Sequence, residues 1–387
     1  MPEPIYLDHA ATTPVRAEVL EAMLPFFGPR FGNPSSVHRW GRDARTALDE
    51  ARERVARCLG ANTDEICFTS GGTEADNIAI LGAWRARRDE GRTAIVTTPI
   101  EHKAVLEAVH EASKEGADER ICRMTSDGVV DLASYEALVD TDTSIVSAMW
   151  VNNEIGTIQP IEALASRAHA MGALFHTDAV QAFGKVVIDA KRVPFDMLTI
   201  SGHKIGAPKG IGAIYIRRGT PIEPLFHGGS QDRGRRPGTE NVAAVIGLAR
   251  AAELAVAERE EEWARLTALR DRLEQRILAR IPDAMIHGRN APRRAPHITS
   301  ISVPGTDSES MLMALDLRGI GCSAGSACQS GSITPSHVLS AIGVEPELAS
   351  SAIRMSLGSL TTDEAIDRAA EVFSALVEKA HGMARAG

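Results

Sequence analysis

Between residues 65 and 216 the chain repeats one unit. A short apolar run gives way to a glycine-rich or polar break, and a helical stretch with its apolar residues on one face follows. The apolar runs are Glu65–Thr69, Ala94–Thr98, Ile121–Met124, Ser144–Trp150, Ala173–Phe175, Asp196–Ile200 and Gly212–Ile216. Helices are expected from Thr73 to Arg87, Ala104 to Lys114, Ala133 to Val139 and Pro160 to Met171. Alternation of this kind predicts an α/β fold built on a mostly parallel sheet, which binds ligands beyond the carboxyl ends of its strands. The polar residues gather at those ends. They include Ser70-Gly71-Gly72-Thr73, Glu101-His102-Lys103, Asn152-Asn153-Glu154, Asp178 and Ser201-Gly202-His203-Lys204.

Two of these breaks supply a matched pair of chemical groups. Lys204 stands at the rim of the sheet between two buried strands, where poor solvation lowers an amine's pKa and makes it a usable nucleophile or base. Asp178 closes the strand that begins at Ala173. Alone it reads equally well as a helix N-cap. Together, a lysine to hold an aldehyde as a Schiff base and a carboxylate to keep a pyridine nitrogen protonated are what pyridoxal 5'-phosphate requires. Strand, Gly71-Gly72, Thr73 and helix form a candidate phosphate cradle, with free N–H groups and the positive end of the helix dipole. The same turn also suits tight packing. No Gly-Lys-Ser/Thr follows it, so it is not a Walker motif.

A chain of 387 residues exceeds one ordinary domain. We expect a large cofactor-binding domain over 15–255 and a smaller α+β domain made from 1–14 and 256–387. The second half should contain helices over 242–254 and 258–279, a half-exposed strand at Ile298–Val303, a helix over 308–318, a strand at Ile353–Leu357 and a last helix from Thr362. A net charge of −9 without a basic run argues against nucleic acid as a partner. No apolar stretch of membrane-spanning length and no basic, apolar leader stand in the sequence, so no membrane partner and a cytoplasmic location are expected.

Five cysteines at Cys58, Cys67, Cys122, Cys322 and Cys328, with no C-x-x-C spacing, exclude a disulfide framework and an ordinary zinc site. Cys58 and Cys67 read as core thiols, and Cys322 is assigned to packing near the end of a preceding helix. Cys328 lies in a run of small residues from Gly319 to Ser332, where the chain should move freely and a thiol could serve as a carrier arm. Gly321-Cys322-Ser323-Ala324-Gly325 formally matches the serine-hydrolase elbow G-x-S-x-G. It lacks the buried strand before and the helix after that such an elbow needs.

Several longer stretches now carry a resemblance. They are Tyr6-Leu7-Asp8 with Ala11-Thr12-Thr13-Pro14, Phe31-Gly32-Asn33-Pro34-Ser35-Ser36, Thr69 to Asn77, Val151 to Gly156, His176 to Gln181, Ser201 to Lys204, Gly325-Ser326-Ala327-Cys328 and Ile353 to Gly358. From end to end the chain resembles the pyridoxal-phosphate-dependent cysteine desulfurases of the class-V aminotransferase group, fold-type I. Its Gly234–Asn241 loop looks closest to the nitrogen-fixation branch. His9 stands where many relatives carry Asn or Tyr. The chain ends soon after its last helix, without the long tail by which housekeeping relatives dock their scaffold protein.

The resemblance implies a homodimer that takes L-cysteine to L-alanine and passes the sulfur, as a persulfide on Cys328, to an iron–sulfur scaffold or another acceptor protein. It implies that Lys204 holds the cofactor, that Asp178 pairs with the ring nitrogen, and that His102 stacks on the ring and handles protons. Gln181 and Asn153 are implied on the phenolic side, and Gly72, Thr73, Ser201 and His203 at the phosphate, with Thr239 reaching it from the opposite protomer. Arg354 is implied to fork the substrate carboxylate, with Asn33 near it. Selenocysteine lyase and ordinary class-V aminotransferase activities are the alternatives within enzymes. A non-catalytic sulfur carrier on the same fold is the alternative outside them.

Overall fold

The computed structural model describes residues 3–324 and 335–384. A two-residue strand β1 (Ile5–Tyr6) precedes seven strands that form the main sheet: β2 (Ile66–Thr69), β3 (Ala94–Thr97), β4 (Asp118–Ile121), β5 (Thr143–Ser147), β6 (Leu174–Asp178), β7 (Met197–Ser201) and β8 (Gly212–Ile216). Their order across the sheet is β2-β8-β7-β6-β5-β3-β4. From β7 to β4 every neighbouring pair is parallel, and only β8 runs against both of its neighbours. The reason is connection length. Helices link β3 to β4, β4 to β5 and β5 to β6, and a long irregular connection over 179–196 takes β6 to its parallel neighbour β7; β7 returns as β8 through the short turn that carries Lys204, and a short return forces antiparallel pairing.

Strands β2, β3, β5, β7 and β8 are buried at every position, as apolar runs without alternation require. The fourth expected strand is displaced. It occupies Asp118–Ile121 rather than Ile121–Met124, at the sheet edge, with its end residues exposed. The helix expected over 73–87 is continuous but not uniform: an α segment from Gly72 to Asn77, a π turn over Ile78–Gly82 and an α segment over Ala83–Arg87. The helix Arg39–Leu59 closes at Gly60, whose φ of 66° lies in the left-handed region; a Cβ there would also stand 2.5 Å from Asp189 Oδ1.

After two long helices, Val242–Ala257 and Arg259–Arg280, come β9 (Met285–Ile286), β10 (Ile298–Ser302), β11 (Ile320–Gly321), β12 (Ser323–Ala324) and β13 (Ile353–Ser356). A four-stranded antiparallel sheet has the order β12-β13-β10-β9. Its apolar cluster contains Leu266, Leu273, Ile301, Met355 and Phe373, and it takes in Ile5 and Leu7 from the N-terminal arm. β1 pairs in parallel with β11, which ties that arm to the second sheet. Strand β10 is not half-exposed as its alternation suggests. All five residues are buried, and polar side chains on both faces find partners: Thr299 Oγ1 donates to Glu274 Oε1 at 2.7 Å and Ser302 Oγ meets His287 Nε2 at 2.7 Å.

His287 gives this region a pH dependence. Burial pushes its imidazole down to about 4, against about 6.5 when unfolded. A depressed histidine leaves its stabilising share complete above the unfolded value, and that share is lost as pH falls from about 6.5 toward 4. At 1.36 kcal/mol per unit the share is about 3 kcal/mol. Denaturant unfolding between pH 7 and pH 4 should therefore lose stability less steeply in His287→Gln than in the parent; equal slopes would remove this assignment.

Candidate active site

Strand β7 ends at Ser201, and a single turn of 3-10 helix over Gly202–Lys204 brings the lysine back under the N-terminal arm. The Lys204 ammonium donates to the carbonyls of Ala10 and Ala11, both at 2.7 Å. Burial pushes this amine down to about 8. The Arg354 cation adds to the shift, and Asp178 and Asp8 oppose it. The expected desolvated lysine is therefore present, and its charged surroundings join three separate parts of the chain.

Asp178 ends β6 and is buried, with Oδ1 accepting from the Val180 N–H at 2.8 Å. Burial raises its pKa, while His102, the Val180 N–H and Lys204 pull it back toward the charged form. The sequence suggests a surrounding with few charges. The structure instead gathers two more buried carboxyl groups, Asp76 and Glu101, and holds both toward neutrality. Burial and the charge of Asp178 raise Asp76, and burial pushes Glu101 up to about 8. Glu101 Oε1 accepts from Thr98 Oγ1 at 2.6 Å and from the Met149 N–H at 2.8 Å. The region is thus poor in charge although not in carboxyl groups.

His102 caps the helix Lys103–Lys114, its Nδ1 accepting from the Ala104 N–H at 3.1 Å. That bond leaves the proton of the neutral ring on Nε2. The ring is exposed on one side, yet enough protein surrounds it for burial to lower its pKa, with Asp178 opposing.

At the start of the next helix, a Cβ on Gly72 would lie 3.1 Å from Val180 Cγ2 and 3.7 Å from Ser201 Cβ. The Gly72-Thr73 turn and the buried end of β7 therefore face each other across a space that a larger residue would fill. Thr73 is exposed beside it. His203 Nδ1 meets Thr12 Oγ1 at 3.1 Å, and burial pushes its ring down to about 4. Gln181 Nε2 donates to the Ala10 carbonyl at 2.8 Å, and its Oε1 faces His297 Nε2 at 3.2 Å. One carbonyl on the N-terminal arm therefore accepts from both Gln181 and Lys204.

Arg354, on β13, is buried. Its NH1 donates to the Asn153 carbonyl at 3.0 Å and its NH2 to Asp8 Oδ1 at 2.8 Å. Asn33 is exposed and caps its own turn, Oδ1 accepting from the Ser35 N–H at 2.9 Å; none of its contacts among the described residues reaches Arg354. Thr239 is exposed and lines, with Phe226, Gln231 and Arg236, a separate cavity of about 370 Å³. A larger cavity of about 720 Å³ is lined by Lys204, Gln181, His9, Lys185 and Leu357; neither Asp178 nor His102 lines it.

Cys328 lies outside the described residues, as do residues 325–332 of the run expected to move around it; the start of that run is not free but forms β11 and β12, paired with β1 and β13. The other four thiols are all pushed up by burial: Cys58 to about 11, Cys122 and Cys322 to about 12, and Cys67 well above its ordinary value. Cys322 packs against the second apolar cluster as expected. It sits between β11 and β12, however, and not at a helix end, since the preceding helix stops at Asp316. Asp8, Asp76 and Glu101 were given no role by the sequence reading. The available signal was their position inside motifs: Asp8 in the N-terminal stretch, Asp76 within Thr69–Asn77 and Glu101 directly before His102.

The family model for class-V aminotransferases matches residues 5–369. A cysteine desulfurase IscS of Dictyoglomus turgidum is 47% identical over 98% of this chain and 96% of its own length. The cysteine desulfurase NifS of Azotobacter vinelandii is 47% identical over 94% of this chain and 90% of its own length. A solved structure of a NifS-like protein superposes with a TM-score of 0.91 at 38% identity, covering 97% of this chain and 99% of that one. With the mostly parallel sheet and the Lys204–Asp178 site already described, these likenesses leave one assignment: the chain belongs to the class-V aminotransferase family and, within it, to the cysteine desulfurases.

Proposed function

We propose that the protein is a pyridoxal-phosphate-dependent sulfurtransferase that converts L-cysteine to L-alanine and passes the sulfur, through a persulfide on Cys328, toward iron–sulfur cluster assembly. The observation that carries this reading is the convergence of Lys204, Asp178, His102 and Arg354, each within electrostatic reach of Lys204 or Asp178. The residues present fit pyridoxal phosphate: a desolvated amine, a buried carboxyl group that Lys204 and His102 pull back toward the charged form against burial, and the small-residue space between Gly72 and Ser201.

Lys204 would hold the cofactor covalently, Asp178 its ring nitrogen, and Gln181 and Asn153 its phenolic side. Gly72, Thr73, Ser201 and His203 would hold the phosphate. When bound, the cofactor supplies an electron sink at the substrate's Cα. Lys204, a desolvated amine whose pKa burial lowers, would move the Cα proton as the general base. His102, neutral with its proton on Nε2, holds and returns protons beside it. Arg354 would fix the substrate carboxylate; a place for Asn33 beside it rests on the resemblance, since its described contacts do not reach Arg354. The Cys328 thiolate attacks the substrate sulfur; the carbon–sulfur bond breaks, its electron pair stays with carbon and is protonated to the methyl group of alanine, and Cys328 retains the sulfur.

A homodimer belongs to the same reading, with the partner subunit's Thr239 at the phosphate. Its support is the set of exposed apolar side chains Leu20, Leu24, Phe27, Phe31, Val37 and Trp40, crowded into one short stretch of the N-terminal region. The domain division at 15–255 is part of the reading too, supported by the two separate apolar clusters. Incubation with L-cysteine and an excess of a thiol reductant, which reduces the persulfide, should yield alanine and sulfide in equal amounts; an amino-group acceptor consumed in place of sulfide release would show transamination.

Asp178→Asn should keep cofactor while slowing turnover severely. A neutral amide cannot hold a ring nitrogen protonated, and loss of a hydrogen bond to a charged group alone costs about 1.5–3 kcal/mol. Single-turnover kinetics with L-cysteine check this, and near-parental rates in the Asn variant would remove Asp178 from its role.

A further inference from the structure

Arg354 carries a resident carboxylate. Its side chain is 2% exposed, while the Asp8 side chain that meets it is 19% exposed, so Asp8 lies on the outer side of the guanidinium. The pairing is one-pronged: Asp8 Oδ1 takes NH2 at 2.8 Å, whereas among the described residues Oδ2 receives only Ser323 Oγ at a long 3.4 Å. Ser323 is the cross-strand neighbour of Arg354, so β12 and β13 present both residues to Asp8. On the inner side NH1 is held by the Asn153 carbonyl, and Nε is buried without a partner among the described residues. An arginine so placed has donors to spare and no open edge from which to offer them. A carboxylate arriving from solvent meets Asp8 first, and two carboxylates cannot crowd one face of the cation without repulsion.

We propose that Asp8 is an internal stand-in for the substrate carboxylate: it holds Arg354 in the resting protein and is displaced when the amino acid's carboxylate docks. The proposal rests on the reading of Arg354 as the substrate fork. An incoming carboxylate can take two N–H donors in parallel where Asp8 takes one, which gives the exchange its direction. Asp8 thereby sets affinity, since every binding event must first break its pair with Arg354.

The test is calorimetric titration of L-alanine, which carries the same amine and carboxylate without the sulfur, into the cofactor-loaded protein. Asp8→Asn should bind L-alanine about fivefold more tightly than the parent, because a neutral amide competes less for the guanidinium. The same variant should melt at a lower temperature, because a buried cation has lost its counter-charge. A pair with a merely structural role would lower both stability and affinity, and that result overturns the proposal, as does unchanged affinity. Should Asp8→Asn fail to fold, Ser323→Ala removes the second contact of Asp8 and should tighten L-alanine by about twofold; no tightening there is equally negative. Arg354→Gln separates the two levels. If it leaves L-alanine affinity intact, the fork itself is misassigned; if it weakens binding while Asp8→Asn does not tighten it, the fork stands and only the exchange falls.

Discussion

Lys204→Ala is expected to abolish turnover of L-cysteine, while cofactor still binds weakly through its phosphate and ring-nitrogen contacts and is removed by dialysis. Two functions vanish with one side chain: the covalent hold on the cofactor and the base that moves the Cα proton. General acid–base catalysis alone is worth roughly 10²–10⁴-fold, and the loss of the covalent site adds to it. Two other lysines must be weighed. Lys209 is exposed on the turn beyond. Lys185 lines the same 720 Å³ cavity as Lys204, and burial lowers its pKa too. What separates them is electrostatic company. Lys204 responds to Asp178, Asp8 and Arg354, whereas the one charged neighbour that bears on Lys185 is Glu262. Borohydride reduction of the loaded protein and peptide mapping should therefore place the pyridoxyl group on Lys204. Label on Lys185 or Lys209 would sink the assignment of the site.

The parallel core was legible because its strands are buried on both faces and so read as unbroken apolar runs. β4 was misplaced for the complementary reason: as an edge strand made of Asp118, Glu119, Arg120 and Ile121 it carries no apolar run, and the Cys122–Met124 stretch beyond it drew the boundary onward. β10 misled in the opposite sense. Its Thr and Ser residues signal water, yet Glu274 from the helix Arg259–Arg280 and His287 from just beyond β9 arrive to bond Thr299 and Ser302, and no local pattern announces such partners. At the site, Lys204 and Asp178 were readable because each ends a strand at the edge where parallel sheets expose their ligands. The link from Asp8 to Arg354 was not, since 346 residues separate them and long-range strand pairing brings them together: β1 with β11, β12 with β13, and Asp8 itself with Ser356 on β13. Burial that holds Asp76 and Glu101 toward neutrality is likewise a property of packing that a one-dimensional reading cannot see.

Cys328→Ala should separate desulfurase from aminotransferase chemistry. Lys204, Asp178 and Arg354 are untouched in this variant, so cofactor and L-cysteine should both bind and L-cysteine should still shift the cofactor's absorption. Carbon–sulfur cleavage should then stop, because it needs a thiolate to take the sulfur. The remaining thiols are poor substitutes on physical grounds. Cys322, six residues earlier, packs against the second core and is pushed to about 12 by burial, with Asp8 adding to the shift; at neutral pH it has almost no thiolate to offer. Cys58, Cys67 and Cys122 are raised by burial as well, and Cys67 and Cys122 are enclosed in the core. Alanine formation from L-cysteine should fall by roughly two to four orders of magnitude, the scale on which loss of one positioned catalytic group is felt. Intact-mass analysis of the parent after L-cysteine should show one added sulfur per chain, on the peptide that contains Cys328. If Cys328→Ala still makes alanine at the parental rate with a thiol reductant present, the sulfur does not pass through Cys328 and the added thiol takes it directly; pyruvate and ammonia in place of alanine would instead show β-elimination at the Lys204 site.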